Sequence, residues 1–154
     1  MKRLFPLAIV LMAMMPAPPV TTSETAKSST IVSSLFVPFD ESIFVATTGG
    51  EDYVQFTGQF HIVLHFVPGN PVRFFSNAVA IKGTGNQGSY NLIGNGITDQ
   101  LVIGNSQLMV RQIFRLIPGN PVVPGNPVRI LFTLQLNEIG EVTEATAKVV
   151  IQEG

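Results

Sequence analysis

Two histidines, His61 and His65, carry the only imidazole groups in the chain. Imidazole is the side chain best suited to proton transfer and metal binding near neutral pH. The segment around them has the pattern of a strand, which gives both residues one face but separates their Cα atoms by about 13 Å at ~3.3 Å per residue. One zinc ion, with ligand bonds of about 2 Å, cannot hold both. We therefore predict no metal site and interpret the pair as polar positions on a wet face, with a ligand-binding or general-base role as the alternative.

Two pairs of neighbouring carboxylates, Asp40-Glu41 and Glu51-Asp52, are further candidates for acid–base chemistry or calcium binding. Successive side chains at the start of a strand point in opposite directions, so neither pair can converge on one reacting atom or ion. We interpret these carboxylates as solvated caps of strands.

The segment Gly83-Thr-Gly-Asn-Gln-Gly88 has the glycine content of a phosphate-binding loop, but it lacks the Gly-Lys-Ser/Thr ending and a following helix. It predicts a β-turn or a bulge instead. The chain has no Gly-x-Ser-x-Gly motif and no cysteine, so neither common nucleophile pattern is present. We predict no catalytic residue and no cofactor, and an enzyme is the least supported class of function.

The strand that carries the histidines has the clearest period in the chain. Between Gly50 and Phe66 apolar and polar side chains alternate, as in a strand with one face on a core. The apolar set is Val54, Phe56, Phe60, Ile62, Leu64 and Phe66. If the polar face turned inward, its side chains would line a cavity large enough for one small ligand. The candidate ligand-binding residues on that face are Tyr53, Gln55, His61 and His65.

Strand-like segments separated by breaks rich in Gly, Asn and Pro extend over most of the chain. The predicted strands are Ile31 to Val37, Glu51 to Phe66, Val72 to Ile81, Ser89 to Ile93, Ile97 to Ile103, Leu108 to Ile117, Val128 to Leu136 and Val142 to Ile151. Short connections favour antiparallel neighbours, and about eight strands can close a barrel. We predict an all-β fold, a small antiparallel β-barrel, with a two-sheet β-sandwich as the alternative.

A Pro-Gly-Asn-Pro-Val motif occurs once after Val67 and twice in tandem after Ile117. Proline followed by glycine has the chemistry of the two central positions of a type II turn, so the copies are predicted to connect strands. The tandem copy makes the second connector longer than the first, and we expect it to project from the barrel rim.

The chain begins in the order of a secretory signal peptide. Lys2 and Arg3 precede an apolar run from Leu4 to Met15, and prolines follow it. As a helix this run would be about 18 Å long, short of the ~30 Å hydrocarbon core, so no permanent membrane span is expected. We predict a signal peptide and flexible leader over residues 1–26, a single domain over residues 27–154, and a secreted, extracellular protein.

The composition excludes several partners and cross-links. Only 12% of residues are charged and the formal net charge is −1, so the sequence offers no basic field for nucleic acid. The absence of cysteine excludes disulfides, which many small exported domains use.

Short segments between about Val37 and Val150 resemble a family of small secreted bacterial proteins without an established activity. These segments are Phe44-Val45, Gly50-Glu-Asp52, Phe56-Thr-Gly58, His61-Ile-Val-Leu-His65, Gly83-Thr-Gly85, Phe114-Arg-Leu-Ile117 and Asn137-Glu-Ile-Gly-Glu-Val142. The resemblance implies secretion and an all-β fold, but no reaction. Members often carry two cysteines that this chain lacks, so their disulfide is not expected here.

Together these features predict a binding or surface-interaction module with a small-molecule or surface partner. The alternative is a structural or adhesive protein whose exposed Pro-Gly-Asn-Pro loops and sparsely charged surface mediate association.

Overall fold

The computed structural model describes residues 29–47, 49–100, 106–119 and 126–150. Over these residues the chain forms eight strands: β1 (Ile31–Thr47), β2 (Gly50–Phe66), β3 (Val72–Thr84), β4 (Ser89–Ile93), β5 (Asn95–Gln100), β6 (Gln107–Pro118), β7 (Asn126–Leu136) and β8 (Val142–Val149). Among the described residues we find no helical segment with the length and hydropathy that a membrane crossing needs. The predicted signal peptide and leader, residues 1–26, lie outside the described residues.

The strands form one antiparallel sheet that curls into a nearly closed barrel. The order across the sheet is β1-β2-β3-β4-β6-β7-β8, and β5 pairs with β3 alongside β4. The sheet brings β8 next to β1, where the Val142 N–H donates to Ser33 Oγ at 3.1 Å. The predicted all-β fold and eight-stranded antiparallel barrel are therefore confirmed.

The barrel interior is filled with side chains, and the alternation of β2 supplies one wall of it. Val54, Phe56, Phe60, Ile62 and Leu64 are all buried. Rings from other strands meet Phe60 at the centre. Because the apolar parity of β2 faces the core, its polar parity faces outward.

A β-bulge changes which side chains of β3 face the core. The register between β2 and β3 shifts between Thr57 and Gln59, and Ala80 takes a positive φ of 51°. Ser76 faces inward before the bulge, whereas Ile81 and Gly83 face inward after it. An extra residue in one strand shifts the alternation by one position. The bulge thereby turns Ile81 and Gly83 toward the core, on the face where Asp52 of β2 is also buried.

β1 is longer than the sequence predicted, because it continues past Val37 to Thr47. Pro38 and the Asp40-Glu41 pair suggested a break there. Cross-strand pairing outweighs these local signals, since each residue of β1 has a partner in β2, including Pro38 opposite Gln59. A proline is tolerated because β1 stands at one end of the pairing order and is hydrogen-bonded to a neighbouring strand on one side only.

The first Pro-Gly-Asn-Pro-Val copy forms the predicted turn. The Asn70 N–H donates to the Val67 carbonyl at 3.0 Å, and Gly69 has a φ of 80°, as a type II turn requires at its third residue.

The tandem copies behave differently. Pro118 belongs to β6, opposite Tyr90 of β4, and Asn126 and Pro127 belong to β7, opposite Leu116 and Arg115 of β6. The prediction of a connector was therefore wrong at these three residues, because pairing with neighbouring strands extends β6 and β7 into the motif. Residues 120–125, where the longer connector was predicted to project, lie outside the described residues.

Candidate functional site

The four ligand-binding residues predicted from the sequence lie on the outer face of the barrel. Tyr53 and Gln55 are exposed, and His61 and His65 are half-buried. The sequence predicted that these residues would line a cavity if the polar face of β2 turned inward. That face turns outward, so they do not line an internal cavity. Their binding of a ligand stays a prediction, and it now concerns an open surface.

The outward histidines contact different aromatic neighbours. The His61 ring lies 4.9 Å from the Phe36 ring between centroids, and its Nε2 lies 2.9 Å from Ser34 Oγ. The His65 ring lies 5.4 Å from that of Phe75. These are cross-strand contacts that stabilise a sheet surface.

Tyr53 and Gln55 also have neighbours on β1. The Tyr53 ring lies 5.2 Å from the Phe44 ring, and the Gln55 amide hydrogen-bonds with Ser42 and Asp40. The four predicted residues thus follow one another along β2 without converging on a common point.

The structure buries a carboxylate that the sequence analysis placed in solvent. Asp52 is 1% exposed. Its carboxylate accepts hydrogen bonds from the Asn86 N–H at 2.7 Å, the Gln87 N–H at 3.0 Å and the Tyr90 hydroxyl at 2.9 Å. The prediction of a solvated cap was wrong for Asp52. Its parity, shared with Val54, was the signal that pointed inward.

The glycine-rich segment after β3 forms the turn that holds this carboxylate. The chain reverses here between the paired residues Thr84 and Ser89, as the predicted turn requires, and the Gly85 N–H donates to the Gly88 carbonyl at 2.9 Å. A Cβ on Gly85 would lie 2.3 Å from an Asp52 oxygen, so only glycine lets the turn approach so closely. Backbone N–H groups do face an anion here, as in a phosphate loop, but the anion is the protein's own carboxylate.

The protonation states of Asp52 and Tyr90 favour a structural role for both residues. Burial acts to raise the pKa of Asp52, but hydrogen bonds from Gln87, Tyr90 and Asn86 outweigh it and hold that pKa below its ordinary value. Burial, with the hydrogen bond to Asp52, raises the pKa of Tyr90. Near neutral pH the carboxylate therefore stays ionised and the phenol stays protonated, and neither is poised to exchange a proton.

A second internal polar cluster joins β5 to β6, which do not pair through their backbones. Gln112 is 7% exposed; its Nε2 donates to Thr98 Oγ1 at 3.1 Å, and its Oε1 accepts from the Ser76 hydroxyl. Gly96 leaves the space that this side chain occupies. Because the Gln112 amide is satisfied by protein groups, it closes the wall rather than offering a site.

A groove in the barrel wall has the size to hold a small ligand. It lies where β8 ends, between the last residues of β1 and the first residues of β7, and encloses about 390 Å³. Val45, Leu116 and Val128 form its floor and are core side chains. Its lining residues are 42–46, 113, 116, 126–129, 149 and 150.

The polar groups of the groove are few. Ser42, Asn126 and Arg129 are the lining residues with polar side chains, and the Asn126 amide donates to the Ala46 carbonyl at 3.4 Å. Sequence reasoning missed the groove because strands distant in the chain form it and because it depends on where β8 stops beside β1.

Comparisons with protein-family models, curated proteins and solved structures find no match. The family resemblance described above therefore stays a prediction. In the parts of the chain that the structure describes, no three His, Cys, Asp or Glu side chains come together as metal ligands.

Proposed function

We propose that this protein is a binding module that takes a small, mainly apolar molecule into the groove beside the end of β8. The observation that carries the proposal is the groove itself. Its volume of about 390 Å³ falls in the range of small-molecule sites. Apolar lining with a small number of polar groups is also the usual composition of such sites.

The exposed side chains at the groove's edge support the same function. Phe44 is 70% exposed and Ile113 is 62% exposed, and both line the groove. A ligand seated between them would remove apolar surface from water on the protein and on itself. Each buried CH₂ group contributes about 0.8 kcal/mol, so a short hydrocarbon chain supplies enough free energy for measurable binding.

Filling the groove is expected to abolish this binding. Ala46→Trp adds an indole to the β1 wall and should weaken the binding of N-phenyl-1-naphthylamine, a neutral fluorescent probe, by about tenfold or more, a loss of about 1.4 kcal/mol or more. Fluorescence titration measures the affinity.

Ser34→Trp is the matched control, because Ser34 lies exposed on the same strand but outside the groove. Its affinity for the probe should stay within about twofold of the parent, as for a change remote from the site. Equal affinities in the parent and in Ala46→Trp would show that the probe does not occupy the groove.

A further inference from the structure

Cationic side chains are concentrated on one face of the barrel, although the net charge of the chain is −1. The described residues include two cations on β3, Arg73 and Lys82. Arg73 is bound to Asp99, with Nε 2.8 Å from Oδ1. The remaining cations among the described residues all lie on β6, β7 and β8, and they are Arg111, Arg115, Arg129 and Lys148.

Strand register groups these four side chains around Arg129. Arg129 lies opposite Ile113 of β6, and Arg111 and Arg115 flank Ile113 two positions away on either side. Lys148 of β8 lies opposite Leu131, two positions along β7 from Arg129. Side chains at such diagonal positions on one face lie ~7–8 Å apart. All four cationic residues are exposed.

Acidic side chains are scarce on this face. Of the acidic residues that the structure describes, Glu144 alone lies on β6, β7 or β8, and it is opposite Gln135, four positions from Lys148. Among the described residues the ion pair found is that of Arg73, on β3. The four cations therefore form a positive field that an anion could enter.

Arg129 connects this field to the groove. It is the one charged residue among those that line the groove, and the acidic residues of β1, Asp40 and Glu41, are not among them. A guanidinium binds a carboxylate through two parallel hydrogen bonds. An apolar groove with a guanidinium at its edge is complementary to a molecule with a hydrocarbon body and one anionic end.

We propose, on the basis of the groove function above, that the ligand is an amphipathic carboxylate of the fatty-acid type. Its hydrocarbon chain lies in the groove on Val45, Leu116 and Val128, and its carboxylate binds Arg129. Arg111, Arg115 and Lys148 raise the local concentration of the anion, an effect that added salt screens over about 8–10 Å.

Octanoate and octanol share a hydrocarbon chain and differ in the head group, so comparing them isolates the carboxylate. By isothermal titration calorimetry the parent protein should bind octanoate about tenfold or more tightly than octanol, since charge-assisted hydrogen bonds are the strong ones. Arg129→Gln should remove this preference and leave octanol affinity within about twofold of the parent. Arg129→Lys keeps the charge without the planar fork and should restore part of the preference.

Lys82→Gln is the matched control, because it removes the same charge from an exposed position on β3 outside the groove. Its preference for octanoate should equal that of the parent. Equal affinities of the parent for octanoate and octanol would overturn the carboxylate inference. An equal loss of the octanoate preference in Lys82→Gln and Arg129→Gln would overturn it as well. Either result would leave the groove function standing. Failure of both ligands to bind the parent would overturn the groove function itself.

Discussion

Phe60→Ala is expected to lower the free energy of unfolding by about 3–5 kcal/mol, the range for a fully buried phenylalanine. Phe60 is 0% exposed. Its ring lies 4.9 Å from that of Phe114, 5.0 Å from that of Phe132 and 5.2 Å from that of Phe39. Truncation removes these contacts and leaves a cavity, because β2 is paired with β1 and β3, and this pairing restricts the wall from moving inward.

Phe36→Ala provides the control for this prediction. Phe36 undergoes the same chemical change on the outer face, where it is 57% exposed and contacts His61. Its loss should cost at most about 1 kcal/mol, the worth of one surface aromatic pair. Urea titrations measure both variants, and similar losses would mean that the inner and outer faces of β1 and β2 are misassigned.

Asp52→Asn is expected to lower the melting temperature by about 5–10 °C, as for a buried hydrogen-bonded group left with mismatched partners. The carboxylate accepts three hydrogen bonds from Asn86, Gln87 and Tyr90. An amide has one acceptor oxygen, and its NH₂ group would face donors. Glu51→Gln makes the same chemical change on the exposed neighbour and should leave the melting temperature nearly unchanged.

The same substitution should also change the pH dependence of stability. Because hydrogen bonds lower the pKa of Asp52 in the folded state, its stabilising effect is fully present above the ordinary pKa of the carboxyl. That effect is lost as the pH falls through the lower, folded-state pKa. Thermal melts from neutral to acidic pH should therefore show a smaller decrease in Asp52→Asn than in the parent. Parallel decreases in the two proteins would show that Asp52 is not held ionised by the turn.

The parts of the fold that are encoded locally could be predicted from the sequence. The alternation of β2 identifies its buried face because successive side chains of a strand point to opposite sides. Pro68 and Gly69 predict their turn because each residue restricts the backbone in the way the turn needs. In contrast, the continuation of β1 through Pro38 depends on its partner β2, which local signals do not report.

The site residues were missed for two physical reasons. Asp52 was assigned to solvent because carboxylates are seldom buried, and the compensating N–H groups of Asn86 and Gln87 come from a turn distant in the chain. The groove and the cluster of cationic side chains around Arg129 depend on how strands that are distant in the chain pair with one another. Arg111, Arg129 and Lys148 come together because β6, β7 and β8 pair in one register, whereas the overall composition shows only a small net charge.

The most direct test of the groove as the binding site is a titration of the labelled protein with octanol, followed by backbone amide chemical shifts. Binding in the groove predicts saturable shifts in residues 42–46 and in Asn126, Val128 and Arg129, which lie on its two walls. The amides of His61 and His65 on the outer face of β2, which lie opposite Phe36 and Val32 of β1 and away from the groove, should remain unchanged. Saturable shifts confined to that outer face, or no saturable shift anywhere, would contradict the account.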